Sequence, residues 1–141
     1  MKTRPRLYLD TSAYLCVLLG EDGAERISAE TSGAELLSSV LLVLEARRNL
    51  IRLVREGSLK PKDFKGCLER LLQDQRRFEL RDLTVDLCEA SAFPAVSTPR
   101  SLDLAHLRTA LWFHAEAAID RFVTLDDSQK AAARELGLPV S

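Results

Sequence analysis

Arg6-Leu7-Tyr8-Leu9-Asp10-Thr11-Ser12-Ala13 decides how this chain folds. A short apolar run ends abruptly in an acid and two hydroxyls, and a second apolar stretch with helical character follows. A buried parallel strand reads this way when it delivers a carboxylate to the carboxyl edge of a sheet. The pattern returns near the end of the chain as Asp120-Arg121-Phe122-Val123-Thr124-Leu125-Asp126-Asp127-Ser128. Between the two copies, Glu45 and Asp103 each interrupt a strongly apolar stretch. The four acids Asp10, Glu45, Asp103 and Asp126 are expected to converge on a divalent cation.

The elements between these stretches predict an α/β fold. Residues 7–9 read as the first strand and residues 10–19 as a helix, with Asp10, Thr11 or Ser12 as its cap. A second helix covers residues 24–31, and a second strand residues 34–37. Ser38 and Ser39 then cap a helix over residues 40–55 that stops at Gly57. Its buried stripe is expected to be Leu41, Leu44, Leu50, Ile51 and Val54, with Arg47, Arg48, Arg52 and Arg55 opposite. Pro61 opens the next helix, which runs to residue 76. Residues 78–80 make a third strand at a sheet edge, residues 84–92 a helix, and residues 94–100 a loop. Ser101 caps a helix over residues 102–118. Residues 121–125 form the fourth strand, residues 127–136 the last helix, and Pro139-Val140 could add an edge strand. Strands alternating with helices predict a mostly parallel sheet of four or five strands covered on both faces.

Composition bounds what such a fold could do. The chain has 141 residues and is 46% hydrophobic, enough for one domain with a real core and too apolar for disorder. No run reaches the roughly 18 apolar residues of a membrane span. Basic residues open the chain without an apolar signal core before Asp10, so a cytoplasmic protein without a secretory peptide is expected. Cys16, Cys67 and Cys88 are too widely spaced for a zinc site and are expected as buried free thiols. The net charge of −1 gives no overall attraction to nucleic acid, so an RNA partner would need a local basic patch or metal-bridged phosphates.

Each acid also has a purely structural explanation. Asp10 could cap a helix, Asp103 could complement a helix dipole, and Asp126 or Asp127 could cap the last helix. Glu45 is harder to place, because a buried carboxylate needs a partner, either an arginine or a metal. Strand ends and the helix starts after them share one edge of a parallel sheet, so these groups can meet there. Four like charges brought together repel and raise each other's pKa, and a divalent cation removes that repulsion. An all-oxygen site suits Mg²⁺ or Mn²⁺, and such sites perform phosphoryl chemistry. There is no nucleophile-elbow serine and no glycine-rich phosphate loop, which disfavours covalent catalysis and nucleotide hydrolysis.

Taken together, Tyr8-Leu9-Asp10-Thr11-Ser12-Ala13, Glu45, Ser101-Leu102-Asp103-Leu104-Ala105-His106-Leu107 and Phe122-Val123-Thr124-Leu125-Asp126 resemble the PIN domain. The resemblance is to the VapC toxins of toxin–antitoxin pairs in particular, and the ending Ala133-Arg134-Glu135-Leu136-Gly137-Leu138-Pro139-Val140 shares it. It covers nearly the whole chain and implies one PIN-like domain over residues 1–141, a three-layer sandwich. It also implies a metal-dependent endoribonuclease cutting structured RNA such as tRNA or rRNA, leaving a 3′-hydroxyl and a 5′-phosphate. Asp10, Glu45, Asp103 and Asp126 would then hold Mg²⁺ or Mn²⁺ and its water, with Thr11, Ser12 and Thr124 orienting carboxylates. A homodimer and a cognate VapB-like antitoxin are the implied protein partners. Asp127 doubles the fourth acid; the Thr-x-Asp spacing favours Asp126 as ligand and leaves Asp127 to cap the helix.

The remaining residues are read more blandly. Arg100 borders the expected site and is an RNA-contact candidate; Arg48, at helical spacing with Arg52 and Arg55, is a weaker one. His106 is read as a packed or hydrogen-bonded histidine, and Trp112 and Phe113 as core or dimer interface. Two other functions fit the same acids: a non-catalytic PIN-like RNA-binding module, and a structure-specific DNA nuclease.

Overall fold

The computed structural model describes residues 3–89, 96 and 100–140. Four strands, β1 (Arg6–Leu9), β2 (Glu35–Ser39), β3 (Phe78–Arg81) and β4 (Arg121–Val123), form one sheet in the order β3-β2-β1-β4. Every pairing is parallel. The described helices are α1 (Thr11–Leu19), α2 (Ala24–Thr31), α3 (Leu41–Arg55), α4 (Pro61–Gln75), α5 (Val85–Glu89), α6 (Ser101–Glu116) and α7 (Asp127–Glu135). None of them is long and apolar enough to cross a membrane.

Alternation along the strands builds a core on each face. Tyr8 pairs with Leu37 on one side and Phe122 on the other. These three point to α6 and α7, where Leu107, Ala110, Phe113, Ala132 and Ala133 complete a buried cluster. The Tyr8 and Phe122 rings stack with centroids 5.3 Å apart. Leu7, Leu9, Leu36 and Val123 point the other way, against Ala13 and Cys16 of α1 and Ile27 of α2. Helices therefore cover both faces, giving the three-layer α/β sandwich expected from the alternation of elements. A third cluster joins Tyr14 and Leu18 of α1 to Leu42, Ala46 and Leu50 of α3 and Leu71 of α4.

Local signals set most boundaries. Asp10 is the cap of α1, accepting the Ala13 N–H at 3.1 Å. Gly20 closes that helix in the left-handed region at φ 66°, where a residue without Cβ carries no strain. Pro61 opens α4 as expected, and β3 is indeed an edge strand.

Several expectations are corrected. Ser38 and Ser39 belong to β2: Ser38 donates to the Leu9 carbonyl at 2.7 Å, and the Ser39 hydroxyl accepts the Leu41 N–H at 3.2 Å. Ser101 is the first residue of α6 rather than its cap, and Arg100 precedes it in extended conformation. The fourth strand ends at Val123, because Thr124 and Leu125 turn toward Ser12. Pro139 adds no strand; its carbonyl accepts one bond, from Phe122 N at 2.7 Å, at the open edge of β4. Of the helix expected over 84–92, the part after Glu89 lies outside the described residues, as does most of the 94–100 loop. Cys16 is buried, Cys67 half-buried and Cys88 exposed, so the thiols are free but not all buried. Trp112 is half-buried, edge-on to Phe113, with the Arg81 guanidinium 4.4 Å above its ring.

The largest correction concerns the phase of α3. Leu42, Ala46 and Leu50 are its buried residues, while Leu44 is 65% exposed and Ile51 46%. Residues 40–44 are all apolar and so carry no periodicity to orient the helix; packing on α1 and α4 decides. We expect Leu44→Ser to change unfolding free energy by no more than about 0.5 kcal/mol, as for a surface substitution. Urea denaturation checks this, and a loss above about 2 kcal/mol would restore Leu44 to the core.

Candidate active site

The strand order places a reversal beside β1. The chain builds outward from β1 through β2 to β3, then returns to the other side of β1 as β4. At such a switch point the connections leave in opposite directions and open a crevice beyond the carboxyl ends of the strands. Asp10 follows β1 there and Asp126 lies just beyond β4. Asp103 comes from the first turn of α6 and Glu45 from the second turn of α3. All four line a single cleft of about 240 Å³, together with Thr11, Ser12, Asn49 and His106. A larger hollow of about 570 Å³ at the amino-terminal edge, lined by Arg4, Glu35, Arg76 and Glu79 among others, brings together no comparable set of acids.

Asp10 is buried and fully engaged. Ser12 Oγ donates to Oδ1 at 2.6 Å, and Thr124 Oγ1 donates to Oδ2 at 2.5 Å. Burial pushes its pKa up, against the hydrogen bonds from Ser12 and Thr124 and the charge of His106. The three hydroxyls assigned from sequence thus reach two acids: Ser12 and Thr124 bond to Asp10, and Thr11 Oγ1 donates to Glu45 Oε1 at 2.8 Å.

Glu45 has a partner that the sequence reading did not assign. His106 Nε2 lies 2.8 Å from Glu45 Oε1, and Tyr8 OH lies 2.7 Å from His106 Nδ1. Among the described residues the partner is a buried imidazole that Tyr8 holds from behind, and not an arginine. Burial raises the Glu45 carboxyl, but the hydrogen bond and charge of His106 and the bond from Thr11 outweigh it, so its pKa is lowered. Oε2 takes part in none of these bonds. His106 follows Asp103 by three residues, which puts both on one face of α6. That spacing was the available signal, and by itself it does not separate a packed histidine from a working one.

Asp103 and Asp126 are less restrained. No hydrogen bond reaches the Asp103 carboxylate among the described residues, although its backbone carbonyl accepts Gln129 Nε2 at 2.9 Å. Burial raises the Asp103 pKa, and the charges of Asp126, Asp10 and Glu45 add to it against Arg100. Asp126, not Asp127, caps α7: its Oδ1 accepts Ser128 N at 2.9 Å and Gln129 N at 3.3 Å. Asp127 is the first residue of that helix and lines a different cleft. Arg100 stands close enough to favour the ionised Asp103, whereas Arg48 is exposed on α3 and does not line the cleft.

Among the described residues, no three carboxylate, imidazole or thiolate groups are drawn together tightly enough to form a cation site as they stand. The hydrogen bonds give the reason, since Glu45 is held toward His106 and Asp126 toward the start of α7. The donor set nonetheless suits a hard cation: carboxylate oxygens, one carboxylate without a hydrogen bond, and mutual repulsion that a cation would relieve.

No protein-family model matches the chain, and no curated protein matches it in sequence.

Proposed function

We propose that this chain is a Mg²⁺- or Mn²⁺-dependent endoribonuclease of the PIN type, acting as the toxin of a VapBC-like pair. One observation carries the catalytic part: four carboxylates from four separate elements line one cleft at the switch point of a parallel sheet. The toxin role, a homodimer, a VapB-like antitoxin, structured RNA as substrate and a cytoplasmic setting rest on the resemblance of the motifs. Asp10, Glu45, Asp103 and Asp126 would hold the cation. When bound, it would lower the pKa of a water and neutralise charge on the attacked phosphate. Ser12 and Thr124 fix the plane of the Asp10 carboxylate, while Thr11 and His106 hold Oε1 of Glu45 and leave Oε2 for the site. Hydrolysis of the phosphodiester would leave a 3′-hydroxyl and a 5′-phosphate.

A second reading has a specific observation behind it. Asp10 and Asp126 both serve as helix caps, which is a structural role sufficient in itself. That favours a non-catalytic RNA-binding module. Mn²⁺ calorimetry on wild type and Asp10→Asn, with folding followed by circular dichroism, separates the two. Binding by wild type that the folded variant loses, together with Mg²⁺-dependent cleavage of total RNA that stops on chelation, is the expected result. A folded, chelator-treated wild type that binds no Mn²⁺ and cuts no RNA would leave only the module.

A further inference from the structure

An acidic cleft repels the phosphates of its own substrate, and the chain's net charge of −1 supplies no general attraction. Cations must therefore act locally. A second cleft, of about 320 Å³, opens across the β4–α7 turn and is lined in part by Arg26, Glu30, Arg121, Asp127 and Lys130. The two clefts are separated by a single stretch of backbone. Thr124 lines the second while its hydroxyl bonds Asp10 in the first. Asp126 and Asp127 are adjacent residues, so their Cα atoms are ~3.8 Å apart, yet they line opposite clefts.

Three cations and two carboxylates meet in this second cleft, and they are not all matched. Glu30 is occupied by its ion pair with Arg121. The side chains of Arg26 and Lys130 have neither an ion pair nor a hydrogen bond among the described residues. Arg121 Nε is a buried donor without a partner, which is costly unless an acceptor completes it. The charge of Arg26 also adds to burial in disfavouring the protonated Arg121 guanidinium, so the two cations crowd each other. An anion between them would relieve the crowding and accept the unused donors, and a phosphate matches guanidinium geometry. The α3 arginines do not compete for this role: Arg52 is spent on Glu56, and none of them lines the acidic cleft.

We propose that Arg26, Lys130 and Arg121 form a phosphate subsite that holds the backbone of a single-stranded RNA next to the bond placed at the acids. This rests on the nuclease reading and adds a path to it: the strand crosses the Thr124–Asp127 turn from one cleft to the other. Arg26 is exposed and Lys130 half-exposed, so both can be changed without touching the core.

The test uses a fluorescein-labelled single-stranded oligoribonucleotide of mixed sequence, titrated by anisotropy with chelator present over a range of salt. The double variant Arg26→Gln, Lys130→Gln should bind about tenfold more weakly at low salt, with a slope against log salt shallower by about 1.4. Arg48→Gln should stay within about twofold of wild type. No binding by wild type, wild-type affinity and slope in the double variant, or an equal loss in Arg48→Gln would each overturn the subsite. Mn²⁺ calorimetry on the same proteins keeps the two ideas apart. If wild type binds no Mn²⁺ but RNA binding still depends on Arg26 and Lys130, the subsite stands and the nuclease reading fails. Mn²⁺ binding with an unaffected double variant removes the subsite and leaves the nuclease reading in place.

Discussion

Asp103→Asn is expected to eliminate Mn²⁺ binding and RNA cleavage while leaving the metal-free protein at least as stable as wild type. Under the proposed function Asp103 is a direct ligand, and its loss should cost more than the roughly 100-fold that follows loss of an outer partner. The stability half of the result follows from charge. Asp103 is half-buried, its carboxylate has no hydrogen bond among the described residues, and Asp126, Asp10 and Glu45 all push its pKa up. A folded pKa above the unfolded one means the folded state binds more protons in the window between them. The metal-free wild type should therefore gain stability as pH falls from neutrality through the raised Asp103 value, down to the ordinary carboxylate range. Asp10, also raised, contributes in the same direction. The asparagine variant should lose the Asp103 part of that rise. Urea denaturation of metal-free wild type and variant at several pH values, paired with Mn²⁺ calorimetry, measures both halves. A variant that binds Mn²⁺ as wild type does removes Asp103 from the site; one markedly less stable at neutral pH contradicts the electrostatic account.

His106→Ala should cause the largest stability loss of any change near the cleft, about 3 kcal/mol from a new cavity and two buried polar groups that each lose a partner. Tyr8 is wholly buried, so its hydroxyl loses the His106 partner with no solvent to replace it and is left with Ser38 and Thr109. Glu45 keeps its burial and the Thr11 bond but loses the interaction that lowers its pKa. In wild type, a depressed Glu45 contributes stability above the unfolded carboxylate value, and that contribution disappears as pH falls through the folded value. The gap between wild type and His106→Ala should accordingly be widest near neutrality and narrow toward acid. Tyr8→Phe removes the hydroxyl that bonds Nδ1 and leaves the imidazole in place, so its cost should be nearer about 1 kcal/mol. Urea denaturation of the three proteins decides the matter. A His106→Ala loss below about 1 kcal/mol, or a gap that does not change with pH, would mean that the His106–Glu45 contact does not hold the cleft together.

What could be read directly from the chain was whatever neighbouring residues settle among themselves. An apolar triplet followed by Asp-Thr-Ser is both a buried strand and a helix start, and Asp10 caps α1 accordingly. Strands and helices in alternation leave few alternatives to a parallel sheet, and strand ends in such a sheet share an edge, so the sequence by itself puts Asp10 and Asp126 near each other. The tertiary structure alone decided what depends on rotation and on distant partners. The uninterrupted apolar run at residues 40–44 leaves the phase of α3 undetermined, so contacts with Tyr14, Leu18 and Leu71 chose Leu42, Ala46 and Leu50 for burial. His106 as the partner of Glu45 joins residues 61 positions apart, and no local signal reaches across that separation. The Thr-x-Asp spacing already favours Asp126 for the acidic cleft, but only the structure makes Asp126 the cap of α7 as well and turns Asp127 toward Arg26 and Lys130. Capping and periodicity act over a few residues, whereas the side on which a group finds its partner is set by the packing of whole elements.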